Sequence, residues 1–282
     1  MKNEEKVFDS KKELIDFLTG LAINGQYVFR GYNYQKQMLP SIIRNKAEDI
    51  EKDLLTDFER YGSQYINISN PLDLMSYAQH FGLSTRLLDF TVNPFIALYF
   101  ALFRDKGPNY TEPEDKIYYY LRYADINEND YRHQIFIKGS WEKLGELFNN
   151  SWVNRAIQCI EQVENEFSDD GKQRQILFID PNQSNQRLVM QQGLFMFPYV
   201  LDEDKHKQII EDNTSVIKIH KDLRLELQDY LGTIGINAFR LMPDLSSVCE
   251  AVERNIRENR NKNSELFKKK SMVYNVADNT NE

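Results

Sequence analysis

Apolar residues recur at helical spacing in the first third of the chain, and Asn-Pro pairs mark further helix starts. A capping box followed by an apolar stripe predicts a helix over residues 10–23, and a second stripe predicts a long helix over 47–66. Pro71 and Pro94 each stand at the first position of a predicted helix. The helix after Pro94 is apolar on every side, which is typical of a helix covered by other elements.

Short runs rich in aromatic and β-branched residues predict strands. The first covers residues 27–30 and is expected to stop at Gly31, whereas Thr85 to Asp89 are predicted to form a polar turn before the buried helix. Further strands are predicted over residues 117–123, 175–180, 194–199 and 215–220, and further helices over 142–167, 222–231 and 244–260.

The strands are separated by helices, so the pattern predicts an α+β fold with a mixed β-sheet core surrounded by helices. No linker composition interrupts residues 1–260, which are therefore predicted to be a single domain. Residues 261–282 are polar and lack an apolar stripe, so we expect a disordered tail there.

Composition and charge limit the classes of protein to which the chain can belong. The 282 residues are 41% hydrophobic and 28% charged, as in an ordinary globular protein. The formal net charge of −8 argues against coating of nucleic acid by the whole surface, although a local basic patch such as residues 268–270 can still contact it. Cys159 and Cys249 are too few for a disulfide framework, and no run of 18 apolar residues occurs. We expect a cytoplasmic protein that does not enter the membrane.

The candidate chemistry begins with Arg30, a guanidinium at the end of an apolar strand and next to a glycine. Such an arginine can bind a phosphate or carboxylate group of a ligand, or it can pair with a buried carboxylate of the protein itself. The sequence leaves these two alternatives equally open.

A second polar group lies between the predicted helices. Arg86 and Asp89 are three residues apart and can pair directly, and Asp89 or Thr91 can cap the following helix. Gln79 and His80 end the preceding helix. The four His residues share no metal-binding spacing, so we expect no metal site.

Three stretches of the sequence together resemble the FRG domain, a family named after a Phe-Arg-Gly motif. They are residues 29–31, residues 39–41 with Arg44, and a longer stretch made up of residues 78–89, 91–94 and 97–101, whose specific part is the block QHFGLSTRLLDFT. Residues 187–195 and 235–245 resemble later motifs of the family. The resemblance implies a mostly bacterial and phage-associated domain whose activity is not settled.

The arrangement of an Arg-Gly strand, a Thr-rich turn and an apolar helix is similar to the layout of ADP-ribosyltransferases, which use NAD. This resemblance implies catalytic roles for Arg30, Arg86 and Asp89, and nucleotide binding by Arg30, Gly31, Arg44, Gln79, His80, Thr85, Arg86, Thr91 and Gln192. Gln192 would stand where those enzymes carry an acid, and an amide cannot stabilise a developing positive charge as a carboxylate does.

Two functions therefore remain open. The first is an NAD-consuming effector of bacterial or phage conflict that acts on a protein target, with Asp89 as its acid. The second is a non-catalytic module that senses a nucleotide or a nucleic acid. A purely structural role for the polar residues is a third reading, with the function on an exposed face that binds protein partners.

Overall fold

The computed structural model describes residues 4–32, 38–65, 71–103, 117–126, 135–136, 176–179, 186–198 and 201–243, and a few residues between 248 and 256. The chain divides into two compact units, residues 1–236 and residues 237–282. The predicted helix over 142–167 and the predicted tail over 261–282 lie outside the described residues, as does most of the predicted helix over 244–260. The single domain over 1–260 stays a prediction.

The first unit contains an eight-stranded sheet with the order β1-β8-β4-β2-β3-β7-β6-β5. Its strands are β1 (Glu5–Phe8), β2 (Tyr27–Tyr32), β3 (Leu88–Thr91), β4 (Tyr118–Asp125), β5 (Ile135–Phe136), β6 (Ile176–Ile179), β7 (Gly193–Pro198) and β8 (Ser215–His220). The β1–β8 and β5–β6 pairs are parallel and the other pairs are antiparallel, so the sheet is mixed.

The described helices are α1 (Lys11–Asn24), α2 (Ser41–Arg44), α3 (Glu51–Gly62), α4 (Pro71–His80), α5 (Pro94–Phe103), α6 (Gln186–Met190), α7 (Glu203–Asn213), α8 (Arg224–Thr233) and, in the second unit, α9 (Ala238–Leu241). The predicted α+β class is confirmed. No helix in the described part of the chain has the length and apolar character needed to span a membrane.

The two faces of the sheet are covered by different helices. On one, called here the α5 face, Gly31 of β2 lies against α5: a Cβ atom on Gly31 would lie 1.8 Å from the carbonyl oxygen of Ala97. On the other, the α7 face, Val28 and Tyr32 of β2 belong to one buried core with Ile209 and Ile210 of α7. Alternation along each strand separates the residues of the two faces.

The predictions that Gly31 ends its strand and that residues 85–89 form a turn were wrong. Gly31 does not end its strand, because β2 continues to Tyr32 and the missing side chain serves the close approach of α5. The predicted turn ends in strand β3, in which Leu88 and Phe90 are buried while Asp89 is exposed. The helix predicted over 222–231 extends to Thr233, and Gly235 after it takes the left-handed backbone, with φ of 78°.

The strand β1 and the helix α7 were not predicted. β1 has only four residues and pairs with β8, which is distant in sequence. The helix α7 is strongly charged and buries only His206, Ile209 and Ile210, so its apolar stripe is weak in the sequence.

Candidate functional site

The sheet is held together weakly at its centre. Among the described residues a single pair, Phe29 with Thr91, joins β2 to β3, whereas β2 forms six pairs with β4 and β3 forms four with β7. We call this boundary the β2–β3 junction. Three predicted motifs lie on or beside adjacent strands here: the Phe-Arg-Gly motif on β2, the residues of β3, and the Gln191-Gln192 pair just before β7.

Arg30 spans the junction. Its side chain is buried, with 6% of the residue's surface exposed, and its Nη1 donates a hydrogen bond of 2.6 Å to the backbone carbonyl oxygen of Asp89. Alternation along β2 assigns Arg30 to the same face as Val28 and Tyr32. The arginine therefore binds the backbone of the neighbouring strand at the point where the regular ladder is interrupted.

Asp89 has an exposed carboxylate whose position is fixed by α4. The side-chain amide of Gln79 donates to Asp89 Oδ1 at 2.6 Å, and its Oε1 accepts from the hydroxyl of Thr85, also at 2.6 Å. The amide of Thr85 in turn donates to the hydroxyl of Ser41 at 2.9 Å. Gln79, Thr85 and Asp89 thus form one hydrogen-bonded network, and it lies on the α5 face because Phe90 points to the opposite one.

Arg86 is paired with Glu51 rather than with Asp89. Its Nε lies 2.9 and 3.1 Å from the two carboxylate oxygens, and its Nη2 donates to Glu51 Oε2. The guanidinium also lies 4.9 Å from the ring centroid of Phe197, and the two charged side chains are only 8% and 4% exposed. These contacts make Arg86 part of a buried ion pair between α3 and the β-sheet.

Thr91 and Gln192 meet at the end of β3. The hydroxyl of Thr91 donates to the carbonyl oxygen of Gln191 at 2.8 Å, and the backbone amide of Val92 donates to that of Gln192 at 3.2 Å. Gln192 is exposed and has a left-handed backbone, with φ of 46°. The helix α5 is capped by Asn93, whose Oδ1 accepts from the amide of Phe95 at 3.0 Å, and not by Asp89.

The remaining predicted residues lie at the edges of this region. Arg44 is exposed and donates from Nη1 to the carbonyl oxygen of Leu39 at 2.9 Å, which fixes the entry to α2. His80 ends α4, and its ring packs edge-on against the exposed Phe81. Gly31, as described above, serves the packing of α5.

Sequence reasoning missed two residues on the α7 face. Arg122 lies directly across from Arg30 in the β2–β4 ladder, so the two side chains emerge on the same face. His206 of α7 is fully buried, and its Nε2 lies 2.9 Å from the carbonyl oxygen of Met38. An arginine within the aromatic strand β4 is the same signal that singled out Arg30, so Arg122 was recognisable from the sequence, whereas His206 was not.

Burial shifts the ionisation of two groups on this face. It lowers the pKa of His206, and the charge of Arg30 lowers it further, although the hydrogen bond to Met38 acts in the opposite direction. Burial raises the pKa of the Tyr32 phenol, which is partly offset by Arg122. Both effects favour neutral side chains near pH 7. The described residues contain no group of three or more His, Cys, Asp or Glu that could hold a metal ion.

Comparison with known proteins identifies part of the chain. Residues 25–109 match the family model described as the FRG domain, so this part of the chain is an FRG domain. The match includes β2, α4, β3 and α5, and the residues of the later motifs lie beyond it. No curated protein and no solved structure matches the chain.

Proposed function

We propose that this FRG-domain chain binds a nucleotide at the β2–β3 junction. The observation that carries the proposal is the strand order β2-β3-β7, which brings three motifs distant in sequence to one boundary of the sheet. Among the described residues this boundary is joined by one residue pair, and ligand sites favour boundaries between packed parts of a fold.

Each motif would have its own task in nucleotide binding. Arg30 supplies positive charge between the strands and positions Asp89 through its carbonyl group. Thr91 and the exposed amide of Gln192 provide hydrogen-bonding groups at the other end of β3. Arg86 acts indirectly, since its ion pair with Glu51 fixes the segment that leads into β3.

The nucleotide would be NAD, and the chain would consume it. The bond between the ribose C1′ and the nicotinamide nitrogen breaks, nicotinamide leaves with the electron pair, and positive charge develops on the sugar. Asp89 would stabilise that charge, since its carboxylate is exposed and is held by Gln79. Water or a nucleophile of a protein target then bonds to C1′ and loses a proton. Such an activity would suit an effector of bacterial or phage conflict.

The test is nicotinamide release from NAD by the purified chain, with and without a lysate that contains candidate protein targets. Asp89→Asn keeps the shape of the side chain and its contact with Gln79 but removes the charge, and it should lower release at least about a hundredfold. Asp16→Asn on α1 is the control, because this exposed acid pairs with Lys12 and with no other described residue. Gln192→Glu should increase release if the missing acid limits the rate. Absence of release by the wild-type chain under all conditions would refute NAD consumption.

A second function is favoured by one observation: the exposed side chain in the place of the expected acid is the neutral amide of Gln192. A domain of this kind would sense a nucleotide, or the end of a nucleic acid, without cleaving it. A nucleotide present at 100 times its dissociation constant should stabilise the fold by about 2.7 kcal/mol. Thermal unfolding with NAD, ADP-ribose, ATP and a short single-stranded oligonucleotide tests this function, and no shift with any of them would refute it.

A further inference from the structure

A cavity of about 390 Å³ opens on the α7 face. It lies between α7 and the chain at Met38 and Leu39, and Arg122 of β4 contributes to its wall. None of its described lining residues belongs to β3 or β7, although Arg30, which spans the β2–β3 junction, stands opposite the lining residue Arg122. Its volume falls within the range of pockets that bind small molecules.

Arg122 brings a positive charge into this cavity without a carboxylate partner among the described residues. Its Nε donates to the phenol oxygen of Tyr32 at 3.2 Å, and its Nη1 donates to the hydroxyl of Thr214 at 2.8 Å. Both acceptors are neutral, and no described residue accepts a hydrogen bond from Nη2. The guanidinium is therefore held in a fixed orientation while its charge remains uncompensated.

A second guanidinium adds to the positive potential. Arg30 stands directly opposite Arg122 in the antiparallel ladder, and like charges at such positions repel each other. Arg30 is nearly fully buried and donates to a carbonyl group, which is also neutral. Two guanidinium groups at opposed positions of the ladder raise the positive potential on this face of the sheet, and an anion in the cavity would be attracted by it.

His206 contributes a hydrogen-bonding group of the opposite kind. Because a carbonyl oxygen only accepts, the Nε2 of His206 donates to Met38, and the neutral ring then has Nδ1 as its acceptor. This nitrogen is buried and has no hydrogen-bond partner among the described residues. A ligand with both an anionic oxygen and a proton to donate would satisfy Arg122 and His206 together.

The acidic residues around the cavity do not cancel its charge. Glu203 lies at the rim and forms an ion pair with Lys207 at 2.7 Å. Glu211 is exposed and has no ion-pair partner among the described residues, so water screens most of its effect. The cavity thus combines a positive interior with an approximately balanced rim.

We propose that this cavity binds a phosphomonoester, with Arg122 as the main ligand of the phosphate group. A guanidinium whose remaining N–H groups form a planar fork matches two oxygens of a phosphate. The phosphate can belong to free inorganic phosphate or to a small sugar or nucleoside phosphate, and only the latter fills a cavity of this size. The proposal does not depend on NAD binding at the β2–β3 junction.

Isothermal titration of the full chain with inorganic phosphate, ribose 5-phosphate and AMP, with ribose as the uncharged reference, tests the proposal. The phosphate-bearing probes should bind and ribose should not, and a sugar phosphate that binds more tightly than inorganic phosphate identifies the larger ligand. Arg122→Gln should weaken binding at least about tenfold, because a charge-assisted hydrogen bond is lost. Arg60→Gln is the matched control, since Arg60 is exposed on α3 and its guanidinium contacts no described side chain other than the ring of Tyr61.

A second variant covers the case in which Arg122→Gln does not fold. Glu211→Lys reverses a charge at the exposed rim and should tighten binding several-fold at low ionic strength, with a smaller effect at high salt. Failure of every phosphate-bearing probe to bind the wild-type chain overturns the proposal. An unchanged affinity for the phosphate-bearing probes in a folded Arg122→Gln variant also overturns it. If Arg122→Gln does not fold, an unchanged affinity in Glu211→Lys overturns it instead. Nicotinamide release is measured separately and leaves these outcomes unaffected.

Discussion

Removal of one partner from the buried pair of Arg86 and Glu51 should destabilise the fold strongly. The carboxylate accepts from both Nε and Nη2 of the guanidinium, and the two side chains are 8% and 4% exposed. Breaking a buried ion pair on one side leaves an uncompensated charge away from water, which costs about 3–5 kcal/mol. We therefore expect Glu51→Gln and Arg86→Met each to lower the free energy of unfolding by that amount.

A double variant separates the interaction energy of the two charges from the effects that each substitution has on its own. The cycle consists of Glu51→Met, Arg86→Met and the double variant, which removes both charges, fills the site with apolar volume and should be more stable than either of these single variants. The contact of Arg86 with Phe197 is lost in both backgrounds and cancels in the cycle. Urea unfolding followed by circular dichroism gives the free energies, provided that the slopes stay equal.

The exposed pair of Lys12 and Asp16 on α1 is the control for this experiment. Both side chains are more than half exposed, so Asp16→Asn should leave the midpoint of unfolding unchanged. A cost below about 1 kcal/mol for Glu51→Gln, or simple additivity of the two single substitutions, would refute the reasoning. In that case Arg86 would have to be reconsidered as a ligand-binding residue.

Three further predictions follow from contacts elsewhere in the first unit. Gly31→Ala should cost at least about 3 kcal/mol because its Cβ meets the backbone of α5, whereas Gly20→Ala in α1 has open space and should stabilise by about 0.5–1 kcal/mol; a similar effect of both on the melting temperature would contradict this. The pKa of His206 is lowered from 6.5, so below pH 6.5 the unfolded chain binds more protons than the folded one, and the free energy of unfolding should decrease by up to about 1.4 kcal/mol for each unit by which the pH is lowered. The dependence of that free energy on pH should be weaker in His206→Gln, and an unchanged dependence in urea unfolding between pH 5 and 7 would refute the assignment. Asn93→Ala removes the cap of α5 and should cost about 1 kcal/mol by the same assay, with a result near zero excluding the capping role.

Much of the secondary structure was accessible from local patterns. The capping box at Ser10 and the apolar stripe after it correspond to α1, where the Ser10 hydroxyl accepts from the amide of Glu13. The predicted starts at Pro71 and Pro94 are those of α4 and α5. These signals act within one or two turns of helix, so the sequence alone is sufficient to read them.

The candidate site was predictable in its motifs but not in its partners. The block around Thr85 and Asp89 is recognisable in the sequence as a group of polar residues between two predicted helices, and in the structure it forms a hydrogen-bonded network with Gln79. Nothing local indicates that Arg86 would be neutralised by Glu51, which is 35 residues away. Glu51 lies in a helix with several other charged residues, and one charged residue among several gives no periodic signal of burial.

Capping, periodicity and motif are properties of neighbouring residues, so the helix starts, most of the strands, the α+β class and the resemblance to the FRG domain follow from the sequence without any tertiary contact. The tertiary structure alone decided which strands are neighbours, and hence that the sheet is joined by one residue pair between Phe29 and Thr91. It also decided that Arg30 stands opposite Arg122 and that His206, on the unpredicted helix α7, lines the same cavity as Arg122. These relations join residues about 60 to 180 positions apart, and they arise from strand pairing and core packing, which no local pattern specifies.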